Sequence, residues 1–261
     1  YKTINKKLGL FHEPFGKHIY LVLDFRHDLK HALLYLKESI YLLEKLDNKA
    51  LFVRIVYPND FALLDQLKAY ESEKVTISIC YKEEDIKKLI EHDIHEHNIG
   101  MVMNSIPTFE AGGLKETLYK AKKLVFLFGD KLLYNIKGTV VLMSENQKME
   151  IISSSAFDIS ETLGLEMTLG NFDPEGDFGN KHMIIEHYET MADIFNVPLT
   201  IEQRVSNPIR DLSKMKNVLQ IAPFEKDLNT DSFKKLISSR IQDFLLATRK
   251  HPKLLVPSEV L

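Results

Sequence analysis

The sequence predicts an α/β protein built from two tandem, doubly wound parallel-sheet repeats. Three observations predict it. From His18 to Gly129, apolar runs of strand length alternate with helix-period stretches, strand first, five strands and four helices. The same order returns from Leu133 to Val256 with little residue identity. The strand runs are also near-continuously apolar, as strands covered on both faces of a parallel sheet must be. The boundaries that follow are a basic segment over 1–17, a first repeat over 18–130 and a second over 131–261.

Each element has a local cause. His18–Leu23 is an unbroken apolar run. Asp28 is placed to cap a helix whose inner stripe is Leu29, Leu33, Leu36, Ile40 and Leu43, ending near Asp47 and Asn48. Leu51–Val56 is the second strand, closed by Pro58, and Asp60 caps a helix from Phe61 to Tyr70. Val75–Tyr81 is the third strand, Glu83–His97 a helix, Ile99–Met103 the fourth strand. Gly112-Gly113 precedes a helix through Ala121, and Leu124–Phe128 is the fifth strand. In the second repeat the strands are Gly138–Met143, Glu166–Leu169, Leu199–Val205, Val218–Ala222 and Leu254–Val256. Helices are expected over Met149–Leu163, Lys181–Phe195, Pro208–Met215 and Ser232–Arg249, with Pro208 at a first turn and Asp231 as a cap. Crossovers of this length make the pairing parallel and right-handed.

Composition narrows the function classes. The 261 residues are 44% hydrophobic and 27% charged, enough apolar mass for two cores. A net charge of −3 argues against a nucleic-acid binder, which needs a basic face. The single cysteine, Cys80, excludes an intrachain disulfide framework and fits a reducing compartment; it reads as a buried thiol. No apolar run reaches the ~18 residues of a membrane-spanning helix. The chain opens at Tyr1 rather than Met, which points to a piece of a larger protein, and its lysines at 2, 6, 7 and 17 fit either a terminal arm or a segment just inside a membrane.

Three stretches carry a resemblance. His18-Ile-Tyr-Leu-Val-Leu-Asp24-Phe25, then Ile99-Gly-Met-Val-Met-Asn-Ser105 leading by a loop to Gly113-Leu-Lys-Glu, then His251-Pro-Lys-Leu-Leu-Val-Pro257, resemble the opening strand, fourth strand and closing strand of the universal stress protein family. That fold is adenine nucleotide alpha hydrolase-like, and here it resembles two divergent copies. Tandem degenerate copies form the cytoplasmic tail of monovalent cation:proton antiporters, and Tyr1–Phe11 is similar to the segment after the last span of such proteins. The resemblance implies AMP or ATP as ligand, with Asp24, Val56, Asn104, Ser105 and Thr117 as the nucleotide-binding positions. It departs from the family where a glycine-rich loop should cradle phosphates: Asn104 and Pro107 stand at the first two glycines and no Gly-Ser pair follows. The second repeat has Ala222-Pro223-Phe224-Glu225 there, and Ser144 in place of the aspartate. It also implies a homodimer along the fifth strand, through Leu124, Phe126 and Phe128.

Other constellations are weaker. His92, His95 and His97 with Glu91, Asp93 and Glu96 could hold a metal or sense pH, yet they spread around a helix end and read first as a solvated acidic tip. Asp173–Gly179 lacks the spacing of a calcium loop. No Ser-His-Asp set stands out, and no catalytic residue is nominated. The expected function is a non-enzymatic regulatory domain of a Na+ or K+:proton antiporter at the cytoplasmic face of the inner membrane, joined to the transport domain of the same chain. The alternative is a free-standing tandem protein that binds an adenine nucleotide.

Overall fold

The computed structural model describes residues 16–82, 85–143, 149–171, 181–202, 214–224 and 249–257. The first repeat contains β1 (His18–Asp24), α1 (Phe25–Asp28), α2 (Ala32–Glu44), β2 (Leu51–Val56), α3 (Phe61–Lys68), β3 (Val75–Ile79), α4 (Ile86–Glu96), β4 (Ile99–Ser105), α5 (Ile106–Glu110), α6 (Leu114–Ala121) and β5 (Leu124–Phe128). A 3-10 turn, Leu133–Asn135, leads on to β6 (Gly138–Met143), α7 (Met149–Leu163), β7 (Glu166–Asn171), α8 (Lys181–Phe195), β8 (Leu199–Glu202), β9 (Val218–Phe224) and β10 (Lys253–Pro257).

The chain divides into two compact units. In the N-terminal unit the strands lie in the order β3-β2-β1-β4-β5; in the C-terminal unit the order is β10-β9-β6-β7-β8. Counted within each unit, these are one and the same winding. Every strand pairing within either unit is parallel, as Asp24 opposite Val56 and Val141 opposite Ile221 illustrate. Central strands are buried throughout: all seven residues of β4 and six of the seven of β1. The β3 strand, outermost in its unit, alternates instead. The C-terminal unit packs around Phe157, whose ring lies 5.6 Å from Tyr188 and 5.8 Å from Phe195.

Several predicted elements take different bounds, each for a physical reason. Asp28 does not cap a long helix. It ends the short α1, turns its carboxylate inward, and α2 starts later, at Ala32, without a side-chain cap. The buried stripe of α2 therefore rotates to Ala32, Leu36, Glu38, Ser39, Leu42 and Leu43, leaving Leu29 exposed at 38%. The fourth strand runs on through Asn104 and Ser105, and the loop expected after it opens as α5, because Ser105 Oγ accepts from Thr108 N at 3.1 Å and Pro107 sits in the first turn. Asp60 caps α3 as expected, accepting from Leu63 N at 3.0 Å. The expected helices Pro208–Met215 and Ser232–Arg249, the acidic loop at 173–179 and Ser144 lie largely or wholly outside the described residues.

Candidate functional site: a switch point filled by its own carboxylate

In the N-terminal unit the winding reverses between β1 and β4. Open α/β sheets bind ligands at such a point, outside the carboxyl ends of the strands. Here that place is taken by Asp28. Burial leaves its side chain only 1% exposed, and its carboxylate gathers three donors. Asp24 N–H donates to Oδ2 at 2.9 Å and Thr108 Oγ1 donates to Oδ2 at 2.6 Å. The Ser105 hydroxyl donates to Oδ1. One carboxylate thus ties the ends of β1 and β4 to the first turn of α5. Desolvation pushes its carboxyl above the ordinary aspartate value, while the bonds from Ser105, Thr108 and Asp24 N–H pull it back.

Asp24, at the end of β1, is equally engaged. It accepts from Arg26 N at 2.9 Å, capping α1, and pairs with the Arg26 guanidinium at 2.7 Å. Asp24 is 2% exposed, and the hydrogen bonds it accepts hold Arg26 above the ordinary arginine value. The guanidinium carbon stands 3.7 Å over the Tyr57 ring. Tyr57 follows β2 with φ at +53°, a left-handed conformation that a bulky residue adopts only when its surroundings hold it there. Asp24, Arg26 and Tyr57 form one stack beside the Asp28 cluster.

The resemblance-derived positions divide. Asp24, Val56, Asn104 and Ser105 all lie at carboxyl ends of adjacent strands, with Asp24 opposite Val56 in register. Thr117 does not join them. It lines a separate cleft of about 460 Å³ between α4 and α6, with Glu91, His95, Asn98, Lys120 and Lys123. Lys120 is paired there with Glu116 at 3.4 Å. Asn104 is fully buried, and neither atom of its amide has a hydrogen-bond partner. Being next to Ser105 on a strand, it points to the opposite sheet face. At the same end of the sheet, Gly113 sits at φ +74° before α6, which has no side-chain cap, and Lys87 packs against it, its Nζ 3.6 Å from where a Cβ would stand.

The remaining constellations resolve differently. Asp93 is not part of a solvated tip: it is 3% exposed, takes a bidentate bond from Arg54 at 2.8 and 2.9 Å, and accepts from Tyr20 Oη. His97 stacks on Phe52 at 4.1 Å. Among the described residues no three His, Cys, Asp or Glu side chains converge on a metal position. Cys80 is buried, and its thiol donates to Lys82 O at 3.2 Å. Leu124, Phe126 and Phe128 are buried within the chain itself. Ser153 Oγ and His187 Nε2 meet at 2.7 Å between α7 and α8, but Ser153 is wholly buried, out of reach of a substrate. Sequence reasoning missed Arg26, Tyr57 and Thr108. The only signal was the acid-basic-acid spacing Asp24-Phe-Arg26-His-Asp28 directly after a buried strand.

This fold, a mostly parallel sheet wound in this order in each unit, is the universal stress protein-like α/β fold. Three solved structures share it: a universal stress protein from Archaeoglobus fulgidus DSM 4304, a protein of unknown function from Pseudomonas aeruginosa PAO1 and a putative universal stress protein from Pseudomonas aeruginosa UCBPP-PA14. The first has a TM-score of 0.62 at 11% identity, covering 95% of this chain and 98% of that one. The two Pseudomonas structures score 0.56 and 0.52, each at 15% identity and 94% coverage of both chains. No protein-family model and no curated protein matches the chain in sequence. Among the described residues no helix is long and apolar enough to cross a membrane.

Proposed function

We propose that this chain is a non-catalytic regulatory module in which a side chain of the protein replaces the ligand of the ancestral crevice. The observation that carries this is the Asp28 carboxylate bonded to Asp24 N–H, Ser105 and Thr108 at the switch point. A buried carboxylate held there repels a phosphate and uses the donors a phosphate would need. Such a module acts through conformation: it biases an attached machine by the difference in its affinity for two arrangements. The attached machine we infer is the membrane part of a monovalent cation:proton antiporter. Supporting that reading are the tandem arrangement of two copies and the likeness of Tyr1–Phe11 to the segment after the last span of such transporters.

Two measurements test it. Isothermal calorimetry with ATP, AMP and cyclic dinucleotides should give no saturable heat up to about 1 mM, an affinity worth no more than ~4 kcal/mol; low-micromolar binding would overturn the closed crevice. The coding sequence upstream of Tyr1 should encode a series of apolar spans; a start codon immediately before it would overturn the transporter assignment.

A second reading has its own support. The unbonded Asn104 amide and the Lys87 ammonium beside Gly113, at the uncapped N-terminus of α6, favour an anion at the opposite face of the same strand end. An adenine nucleotide bound there would be lost in Lys87→Ala and kept in Asp28→Asn.

A further inference from the structure

We propose that the connector between β5 and β6 is a proton-operated strap, held to the N-terminal unit by Glu38 and released as the medium turns alkaline. This goes beyond the regulatory reading and does not need it.

The connector changes allegiance along its length. Gly129–Lys131 belongs to the C-terminal unit, Leu132–Tyr134 to the N-terminal unit, and Asn135 onward to the C-terminal unit again. In the first part, Asp130 N and Lys131 N donate to Arg249 O and Lys250 O at 3.3 and 2.9 Å. Gly129 packs so tightly that a Cβ would lie 2.4 Å from the His251 carbonyl carbon. Beyond the middle, Lys137 N donates to Asn217 O at 2.8 Å. The middle is held by one side chain of α2: Leu133 N–H donates to Glu38 Oε1 at 2.6 Å. Leu133 is 3% exposed, and Tyr134 meets Tyr41 edge-on at 6.4 Å.

Glu38 is 5% exposed, and burial pushes its carboxyl from the ordinary 4.5 to about 7, against the opposing pull of the Leu133 N–H. No charged side chain is among the causes. The titratable groups on the elements packed against α2 are engaged elsewhere or exposed. Asp24 holds Arg26, Tyr20 and Arg54 hold Asp93, and His18 Nδ1 accepts from Ala50 N. Asp65 and Lys68 of α3 face solvent. The Tyr41 and Tyr134 rings meet each other edge-on, and Lys131 N donates to Lys250 O.

The sign follows from linkage. In the held state the carboxyl keeps its proton to about pH 7; released into water it returns to 4.5. The held state binds the proton more tightly, so acid favours holding and alkali favours release. When protonated, Glu38 still offers its carbonyl oxygen to Leu133 N–H. With those two values the ratio of held to released strap falls about ten-fold between pH 6 and pH 8.

Amide hydrogen exchange at Leu133, measured on the full chain from pH 6 to 8 and divided by the intrinsic rates, reads this ratio. The wild-type protection factor should drop about ten-fold, and Glu38→Gln, uncharged at every pH, should give a flat profile. Lys253→Met, which removes a buried group of the C-terminal unit shifted to about 7, should leave the wild-type drop intact. A flat wild-type profile, or an undiminished drop in Glu38→Gln, would overturn the proposal, as would loss of the drop in Lys253→Met. Should the glutamine variant fail to fold, carboxyl-carbon NMR titration of Glu38 decides: a midpoint near 7 supports the strap, and one below about 5 refutes it.

Discussion

Replacing Asp28 with alanine removes one acceptor from three donors at once. Asp24 N–H at 2.9 Å, Thr108 Oγ1 at 2.6 Å and the Ser105 hydroxyl would all lose their partner. The position is 1% exposed, so water does not replace the lost oxygens. At roughly 1–1.5 kcal/mol for each buried bond left unmade, the N-terminal unit should lose about 3–4 kcal/mol. Asp28→Asn is a sharper comparison. Its amide oxygen can take the place of Oδ2 and keep Asp24 N–H and Thr108, while its NH2 donates to the Ser105 hydroxyl, so it should cost about 1 kcal/mol or less. Both variants should also differ from wild type in their pH dependence. Because burial raises the Asp28 carboxyl, its contribution is fully present below the unfolded value and declines as pH rises through the folded one; asparagine should remove that slope. Urea titrations followed by circular dichroism at several pH values measure all three quantities. An alanine variant within about 0.5 kcal/mol of wild type, or an asparagine variant as damaged as alanine, would refute the reasoning.

Other outcomes follow from the same geometry. Asp93→Ala strands the Arg54 guanidinium, side chain 17% exposed, beside the buried Tyr20 hydroxyl, and should cost about 3–5 kcal/mol by thermal melting. Lys253 is wholly buried and pushed down from 10.5 to about 7 by desolvation, opposed by Asp130. Wild type should therefore lose stability as pH falls from 10.5 through 7, by up to about 4–5 kcal/mol, and Lys253→Met should flatten that limb of the pH profile. Gly113→Ala forces a side chain into φ +74° and should cost about 1 kcal/mol by the same melts. Phe157→Ala empties the ring cluster with Tyr188 and Phe195 and should cost about 3–5 kcal/mol by urea titration.

The periodic parts of the chain were legible in its sequence. The strands Leu51–Val56, Leu124–Phe128 and Gly138–Met143 and the helices Met149–Leu163 and Lys181–Phe195 have the bounds that apolar spacing gives them. The site was legible only in part, because its chemistry depends on tertiary pairing. Val56 could be placed at a strand end by pattern, and Asp24 and Ser105 only through the family resemblance. Asp28 looked like a helix cap because an aspartate before a periodic stretch usually is one, and only the arrival of Ser105 and Thr108 from far along the chain turns it inward. Arg26 and Tyr57 were missed for the same reason: a cation over a ring just past the next strand shows locally only as the acid-basic-acid spacing from Asp24 to Asp28. Glu38 and Lys253 lie within an amphipathic helix and an apolar strand, where spacing reports that a position is buried and says nothing of the proton it holds.

The most direct measurement of the self-occupied crevice is a crystal structure of this chain grown with saturating ATP and magnesium. The expected density shows the Asp28 carboxylate on Ser105 Oγ, Thr108 Oγ1 and Asp24 N, with no phosphate at the ends of β1 and β4. An ordered phosphate against Ser105, with Asp28 swung aside, would contradict it.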